Sequence, residues 1–209
     1  EGAKRILCFG DSLTWGWNPQ TQERYPVSSR WTTLLQKNLG ENYWIIEEGL
    51  NGRTTVWDDP IEGDKNGRRH LPILLESHRP LDLVIIMLGT NDLKARFRVP
   101  ALEIAQSAGT LVEMVKRSNA GREGNPPSVL LIAPPPLGKL TIWKEEFEGG
   151  IEKSQKLAHY YSYFAQANQC HFFDAGKIVK TSDIDGIHWE DSANRQFAEA
   201  LREKIKDIL

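Results

Sequence analysis

The sequence has few cysteines and no long apolar run. Of its 209 residues only two are cysteine, Cys8 and Cys170, and both lie in or beside apolar stretches. We therefore predict that they are buried apolar residues rather than a disulfide or a pair of metal ligands. No stretch approaches the ~20 apolar residues needed to cross a bilayer, so no membrane segment is predicted.

The chain also lacks an excess of charge of either sign. It has 26 Lys and Arg against 28 Asp and Glu, a formal net charge of −2, with no long block of like charges. A nucleic-acid surface or attraction to a membrane surface is therefore not expected. Lys4 and Arg5 lead directly into the first apolar run without a signal-peptide pattern, which favours a cytoplasmic location.

Strand-like and helix-like patterns alternate along the chain, with no internal repeat or linker. Helical apolar stripes begin near Trp31, Leu102, Ile151 and Phe197. Strand-like runs fall at about 4–9, 43–47, 82–88, 128–133 and 171–174. This alternation predicts an α/β protein, with residues 1–209 forming a single three-layer α/β/α domain around a mostly parallel five-stranded sheet.

Ser12 occupies a position in this pattern that favours chemistry. It follows the apolar run Ile6-Leu7-Cys8-Phe9 and the dipeptide Gly10-Asp11, which predicts a turn at the carboxyl end of the first strand. Open α/β sheets bind their ligands at that edge. A serine there becomes a nucleophile only if a base removes its proton and fixed donors stabilise the charge that develops.

The candidate base is His188, near the other end of the chain. Asp185 precedes it by three residues in the stretch Asp185-Gly186-Ile187-His188, so one turn of chain can hold the carboxylate against the imidazole. Such a carboxylate fixes the tautomer of the ring and stabilises the imidazolium. We interpret the other four histidines as ordinary surface or core residues.

Two further turns after strand-like runs offer candidate oxyanion donors. Asn91 follows the run 83–88, and its side-chain amide can point hydrogens at an oxyanion, although it could equally be a turn residue and Asp92 a helix cap. Gly52 follows the second strand and allows its backbone N–H to approach a ligand closely. Each feature is weak alone; the order Ser, Gly, Asn, Asp-x-x-His is a strong joint signal.

These four blocks resemble those of the SGNH (GDSL) hydrolases, and the stretch 10–17 together with 147–150 resembles the bacterial arylesterase/acyltransferase branch. The resemblance implies a flavodoxin-like fold with Ser12 as nucleophile, His188 as base and Asp185 as the acid that orients it. It places the backbone N–H groups of Ser12 and Gly52 and the Asn91 amide in the oxyanion hole. It also implies hydrolysis of short-chain or aryl esters, acyl transfer to alcohols, and a homo-oligomer, which we expect to be an octamer.

Other functions remain open from the residues alone. Acetylated carbohydrates, lysophospholipids and thioesters are alternative substrates within the same family. A nucleotide- or flavin-binding module is less favoured, because residues 10–16 have too few glycines and no Walker lysine. A metal-dependent phosphoesterase is also less favoured, because the candidate metal ligands include only one histidine. These candidates are Asp11, Asn91, Asp92, Asp185 and His188. We expect neither a metal nor a cofactor.

The substrate-binding residues are the least determined by the sequence. Polar, loop-like segments at 18–30, 58–70 and 138–146 are expected to set specificity, because loops carry it on α/β scaffolds. Trp15 and Trp189 lie next to the motif residues and are predicted to line an apolar slot, although tryptophans are as often packing residues.

Overall fold

The computed structural model describes residues 2–209 and contains one five-stranded parallel sheet. The strands are β1 (Lys4–Gly10), β2 (Tyr43–Gly49), β3 (Leu83–Met87), β4 (Ser128–Ala133) and β5 (His171–Asp174). Their spatial order is β2-β1-β3-β4-β5, and every neighbouring pair is parallel. The predicted fold class is therefore confirmed.

Helices cover both faces of this sheet. Within residues 2–209 they are α1 (Ser12–Trp15), α2 (Trp31–Leu39), α3 (Gly67–His78), α4 (Ala101–Lys116), α5 (Gly150–Ala167) and α6 (Asp191–Ile208). None of these is long and apolar enough to span a membrane.

Two hydrophobic cores follow from the alternation of side chains along the strands. Leu7 and Phe9 face one core, which contains α3, α4 and α5, whereas Ile6 and Cys8 face the other, which contains α2 and α6. The central strand β3 is buried on both faces, as all five of its residues are buried. This accounts for its continuous apolar run.

Helix α3 was not predicted. The sequence suggested a loop over 58–70, but α3 begins at Gly67, where the side chain of Asn66 accepts a hydrogen bond from the Arg68 amide at 3.0 Å. Pro72 lies inside the helix and interrupts the helical signal. Leu71 and Leu75 bury one face of the helix in the core, which stabilises it despite the proline.

Three strands end level with one another at one edge of the sheet. Gly10 of β1 is in register with Gly49 of β2 and with Met87 of β3. A Cβ atom on Gly49 would lie 2.2 Å from the Trp15 amide nitrogen, so glycine is needed there for α1 to cross the end of β2. The residues that follow β1, β2 and β3 therefore meet at this edge.

Candidate active site

Ser12 is the first residue of the one-turn helix α1, directly after β1. The Asp11 side chain accepts a hydrogen bond from the Leu13 amide at 3.0 Å and so caps this turn. Gly10 is required because a Cβ atom there would lie 2.2 Å from the Thr14 hydroxyl. The turn predicted from the sequence is thus a short helix, and Ser12 is only 8% exposed.

Asp185 and His188 lie on the loop that precedes α6. One oxygen of Asp185 accepts hydrogen bonds from the backbone N–H groups of Ile187 and His188, each at 2.8 Å. The other oxygen accepts a hydrogen bond from Nδ1 of His188 at 2.7 Å. The Nε2 atom of His188 lies 2.8 Å from Ser12 Oγ. This network assigns the Nδ1–H tautomer, in which Nε2 accepts the proton of the serine hydroxyl.

The electrostatics of this chain of hydrogen bonds favour an ionised aspartate. Burial by itself opposes the charge on Asp185, but the hydrogen bond and the charge interaction with His188, with the two backbone N–H groups, hold the pKa of Asp185 below its usual range. An ionised carboxylate is the form that fixes the tautomer of the histidine.

Gly52 and Asn91, the two candidate oxyanion donors besides Ser12, follow β2 and β3. Gly52 adopts a φ of +79°, a conformation that favours glycine, in the loop after β2. Asn91 follows β3, and its Nδ2 atom donates one hydrogen bond to the Arg53 carbonyl at 3.1 Å. Both residues border the pocket that contains Ser12 and His188.

A buried polar layer, which the sequence reasoning did not identify, supports these loops. Asp92 is fully buried and accepts hydrogen bonds from the amide (2.9 Å) and hydroxyl of Thr55, joining the loop after β2 to the loop after β3. Arg53 donates from Nη1 to the carbonyls of Gly10 (2.9 Å) and Glu48 (2.6 Å) at the ends of β1 and β2. Burial lowers the pKa of Arg53 to about 10.

Two carboxyl groups in this layer are neutralised more easily than usual. Burial raises the pKa of Asp11 to about 7, and burial together with the charge of Asp11 raises that of Asp92 to about 7. One oxygen of Asp11 has no hydrogen-bond partner within residues 2–209. The sequence marked both residues only as turn or cap residues and as candidate metal ligands.

The pocket has a volume of about 130 Å³ and opens above Ser12. Two tryptophans and His188 form a cluster at one side of it: the rings of Trp17 and Trp143 lie 5.5 and 5.8 Å from the His188 ring. Phe147 and Ile187 add apolar surface, and Asn51, Glu62, Lys94 and Glu146 add polar surface.

The two tryptophans predicted from the sequence to bind substrate do not line this pocket. Trp189 is 1% exposed, packs against Phe197 in the core next to α6, and donates from Nε1 to Asn194 at 2.9 Å. Its immediate neighbour His188 faces the pocket, so Trp189 points into the core. The Trp15 ring packs against the ring of Trp17 at 6.3 Å and lies under the guanidinium of Arg24.

The alternative metal-dependent chemistry finds little support in the arrangement of the carboxylates. No group of three or more His, Cys, Asp or Glu side chains suited to a metal ion occurs in residues 2–209. Asp185 and Asp92 instead use their oxygens in hydrogen bonds to His188 and Thr55.

Comparisons with known proteins assign this chain to a family of enzymes. Over residues 8–203 the chain matches the model of the GDSL-like lipase/acylhydrolase family. The native aryl esterase of M. smegmatis is 46% identical with a TM-score of 0.95, and Est24, a carbohydrate acetylesterase from Sinorhizobium meliloti, is 43% identical with a TM-score of 0.95. In both cases the alignment covers 99% of this chain and 100% of the other. Curated proteins gave no match.

The protein is therefore a carboxylic ester hydrolase of the serine esterase type. It belongs to the GDSL-like lipase/acylhydrolase family, also called the SGNH hydrolases, as its four sequence blocks predicted.

Proposed function

We propose that the protein hydrolyses short-chain or aryl esters through an acyl-enzyme on Ser12, with His188 as base and Asp185 as the group that orients it. The observation that carries this proposal is the pair of hydrogen bonds Ser12–His188–Asp185, at 2.8 and 2.7 Å, which ends in the pocket. Nucleophile, base and orienting acid thus lie within hydrogen-bond reach of one another.

The chemistry follows from this arrangement. As Ser12 Oγ attacks the ester carbonyl, its proton passes to Nε2 of His188, and the new imidazolium is stabilised by Asp185. The carbonyl oxygen takes the negative charge and is stabilised by the N–H groups of Ser12 and Gly52 and the amide of Asn91. His188 then returns the proton to the departing alkoxide, and water repeats the cycle on the acyl-enzyme.

The pocket supports small esters with an aromatic or apolar alcohol. A volume of about 130 Å³ between Trp17, Trp143 and Phe147 suits a short acyl group beside a flat ring. The likeness to an aryl esterase agrees with this choice. Acetylated carbohydrates are the second candidate substrate, because one relative of 43% identity is a carbohydrate acetylesterase.

The proposal also includes acyl transfer to alcohols and assembly into a homo-oligomer, with an octamer as the expected form. Three exposed apolar residues support an assembly near the pocket: Ile61 (73% exposed) and Ile142 (55%) adjoin the lining residues Glu62 and Trp143, and Ile184 (37%) adjoins Asp185. Neighbouring subunits packed there would narrow the entrance and favour an organic alcohol over water. A monomer in solution that forms only hydrolysis products in the presence of an alcohol would contradict both the oligomer and the acyl transfer. The cytoplasmic location stays a prediction.

The nucleophile is tested by Ser12→Ala. We expect the variant to hydrolyse p-nitrophenyl acetate only about 10³–10⁴-fold faster than the uncatalysed reaction, which is the acceleration that binding and the oxyanion hole give without a triad. A serine-directed organophosphate should label the wild type and not the variant. Ser107→Ala is the matched control, because Ser107 has the same 8% exposure but lies on α4 and donates to a helix carbonyl. Near-normal activity in Ser12→Ala would refute the assignment.

A further inference from the structure

The lining of the pocket contains two groups of residues of different character. The aromatic wall consists of Trp17 and Trp143, which flank His188. The charged wall consists of Glu62, Lys94 and Glu146, which line the same pocket. No motif of the family resemblance includes the residues of the charged wall.

The mechanism proposed above assigns one wall to each part of an ester. His188 protonates the departing oxygen, so the alcohol lies beside His188 and therefore against the aromatic wall. The carbonyl oxygen points at Gly52. A Cβ atom on Gly52 would lie 2.9 Å from Glu62 Oε2, so the carboxylate of Glu62 lies next to Gly52. The acyl substituent, bonded to the same carbon, is left with the remaining part of the lining, which includes the charged wall.

The charged wall is held firmly in place. Lys94 is 5% exposed, and its ammonium lies 2.6 Å from Glu62 Oε2 and 3.5 Å from Glu146 Oε1. Arg96 pairs with the same two carboxylates at 3.2 and 2.9 Å and with buried Asp59 at 2.8 Å. These ion pairs join the loop after β2, the loop after β3 and the segment before α5, so the wall cannot swing aside to admit a chain.

The second oxygens of Glu62 and Glu146 are free to accept hydrogen bonds. Within residues 2–209, Glu62 Oε1 and Glu146 Oε2 accept none of the hydrogen bonds, whereas Oε2 of Glu62 and Oε1 of Glu146 are occupied. Glu62 is 38% exposed in its side chain, so water reaches it. A methylene placed there displaces that water without replacing its hydrogen bonds, whereas a hydroxyl replaces them.

We propose that the charged wall sets the acyl specificity: it admits acetyl and hydroxyl-bearing acyl groups and rejects longer apolar chains. The inference rests on the proposed function, since it uses the acyl-enzyme geometry at Ser12. Glu62, Lys94 and Glu146 are specificity-determining residues here and take no part in the bond-making steps.

The first test replaces the Glu62–Lys94 pair by apolar residues of similar size, Glu62→Leu with Lys94→Met. Removing one charge of each sign keeps the net charge, and Arg96 remains paired with Glu146 and Asp59. The profile of kcat/KM for p-nitrophenyl acetate, butyrate and hexanoate should fall with chain length in the wild type. In the double variant, the ratio of each longer ester to acetate should rise by about four-fold for every methylene that becomes buried.

The matched control is Asp58→Leu with Arg69→Met. This pair lies in the same stretch of chain at 3.0 Å, but both side chains are more than 60% exposed and neither lines the pocket. Its chain-length profile should equal that of the wild type. An unchanged profile in the Glu62→Leu/Lys94→Met variant, with acetate activity retained, would overturn the proposal.

The second test uses the wild type and so does not depend on folding of a variant. The glycolyl and propionyl p-nitrophenyl esters are nearly isosteric and differ by a hydroxyl in place of a methyl group. After division by their hydroxide-catalysed rates, kcat/KM should favour glycolate, and a preference for propionate would overturn the proposal. The Ser12→Ala variant distinguishes failure of this proposal from failure of the proposed function. Activity that survives Ser12→Ala would refute the acyl-enzyme mechanism. Activity that depends on Ser12 but shows no acyl selectivity would refute only the role of the charged wall.

Discussion

Asn91→Ala tests the oxyanion hole most directly, because the structure already accounts for one of the two amide hydrogens of Asn91. One hydrogen is donated to the Arg53 carbonyl at 3.1 Å, which fixes the plane of the amide. The side chain is 6% exposed and borders the pocket with Ser12 and Gly52. The second hydrogen is therefore available, in a fixed direction, to an oxyanion.

The magnitude follows from what is lost. Removing one oxyanion donor costs about 10²–10³ in kcat, or roughly 2.7–4 kcal/mol of transition-state stabilisation. The loss should appear in kcat with little change in KM, because full negative charge on the oxygen exists only near the transition state. The Arg53 carbonyl also loses a buried partner, which should lower the free energy of unfolding by about 1–3 kcal/mol.

The assay separates these two effects. Steady-state kinetics with p-nitrophenyl acetate, normalised to sites titrated with an organophosphate, give kcat per active site, and urea unfolding gives stability. Asn194→Ala is the control, because Asn194 is also buried and makes one side-chain hydrogen bond, to Trp189, but lies outside the pocket. It should lose stability and keep its kcat. A kcat for Asn91→Ala close to that of the wild type would refute the oxyanion assignment and leave Asn91 a turn residue.

Three further predictions concern the groups around the site. Asp185→Asn should lower kcat by on the order of 10⁴, because an amide opposite Nδ1 favours the tautomer whose Nε2 carries a hydrogen and cannot accept the proton of Ser12; intact folding with an unchanged kcat would contradict this. The carboxyls of Asp11 and Asp92 have pKa values raised to about 7 from 3.8, so the folded chain binds more protons than the unfolded chain between these values. The free energy of unfolding should therefore carry a contribution that falls as pH rises through this range. Urea unfolding at about pH 5 and at about pH 8 measures this dependence of the free energy of unfolding on pH. Asp92→Asn should make it weaker, and an equal pH dependence in the wild type and the variant would contradict the burial argument. Trp189→Phe should lower stability by roughly 1–3 kcal/mol through the lost hydrogen bond to Asn194 and lost packing, with KM for aryl esters unchanged; a raised KM would restore it as a substrate contact.

The sequence by itself determined the sheet and the positions of the candidate catalytic residues. Strand-like runs that alternate with helical apolar stripes located all five strands, and parallel strands necessarily end at a common edge. Ser12 lies directly after one such run and Asn91 a few residues after another, while Asp185 and His188 are three residues apart. The relation of Asp185 to His188 is local, whereas the meeting of Ser12 with His188 across 176 residues was predicted from the common edge of the sheet and from the family resemblance.

Only the tertiary structure decided which side chains line the pocket. His188 and Trp189 are adjacent, yet one faces the pocket and the other the core, because neighbouring residues of this loop point in opposite directions. Trp143 reaches His188 across 45 residues of sequence, and Lys94 reaches Glu62 across 32. Such contacts depend on how separate loops pack above the sheet. For the same reason the burial that raises the pKa values of Asp11 and Asp92, and the charged wall itself, leave no signal in the order of the amino acids.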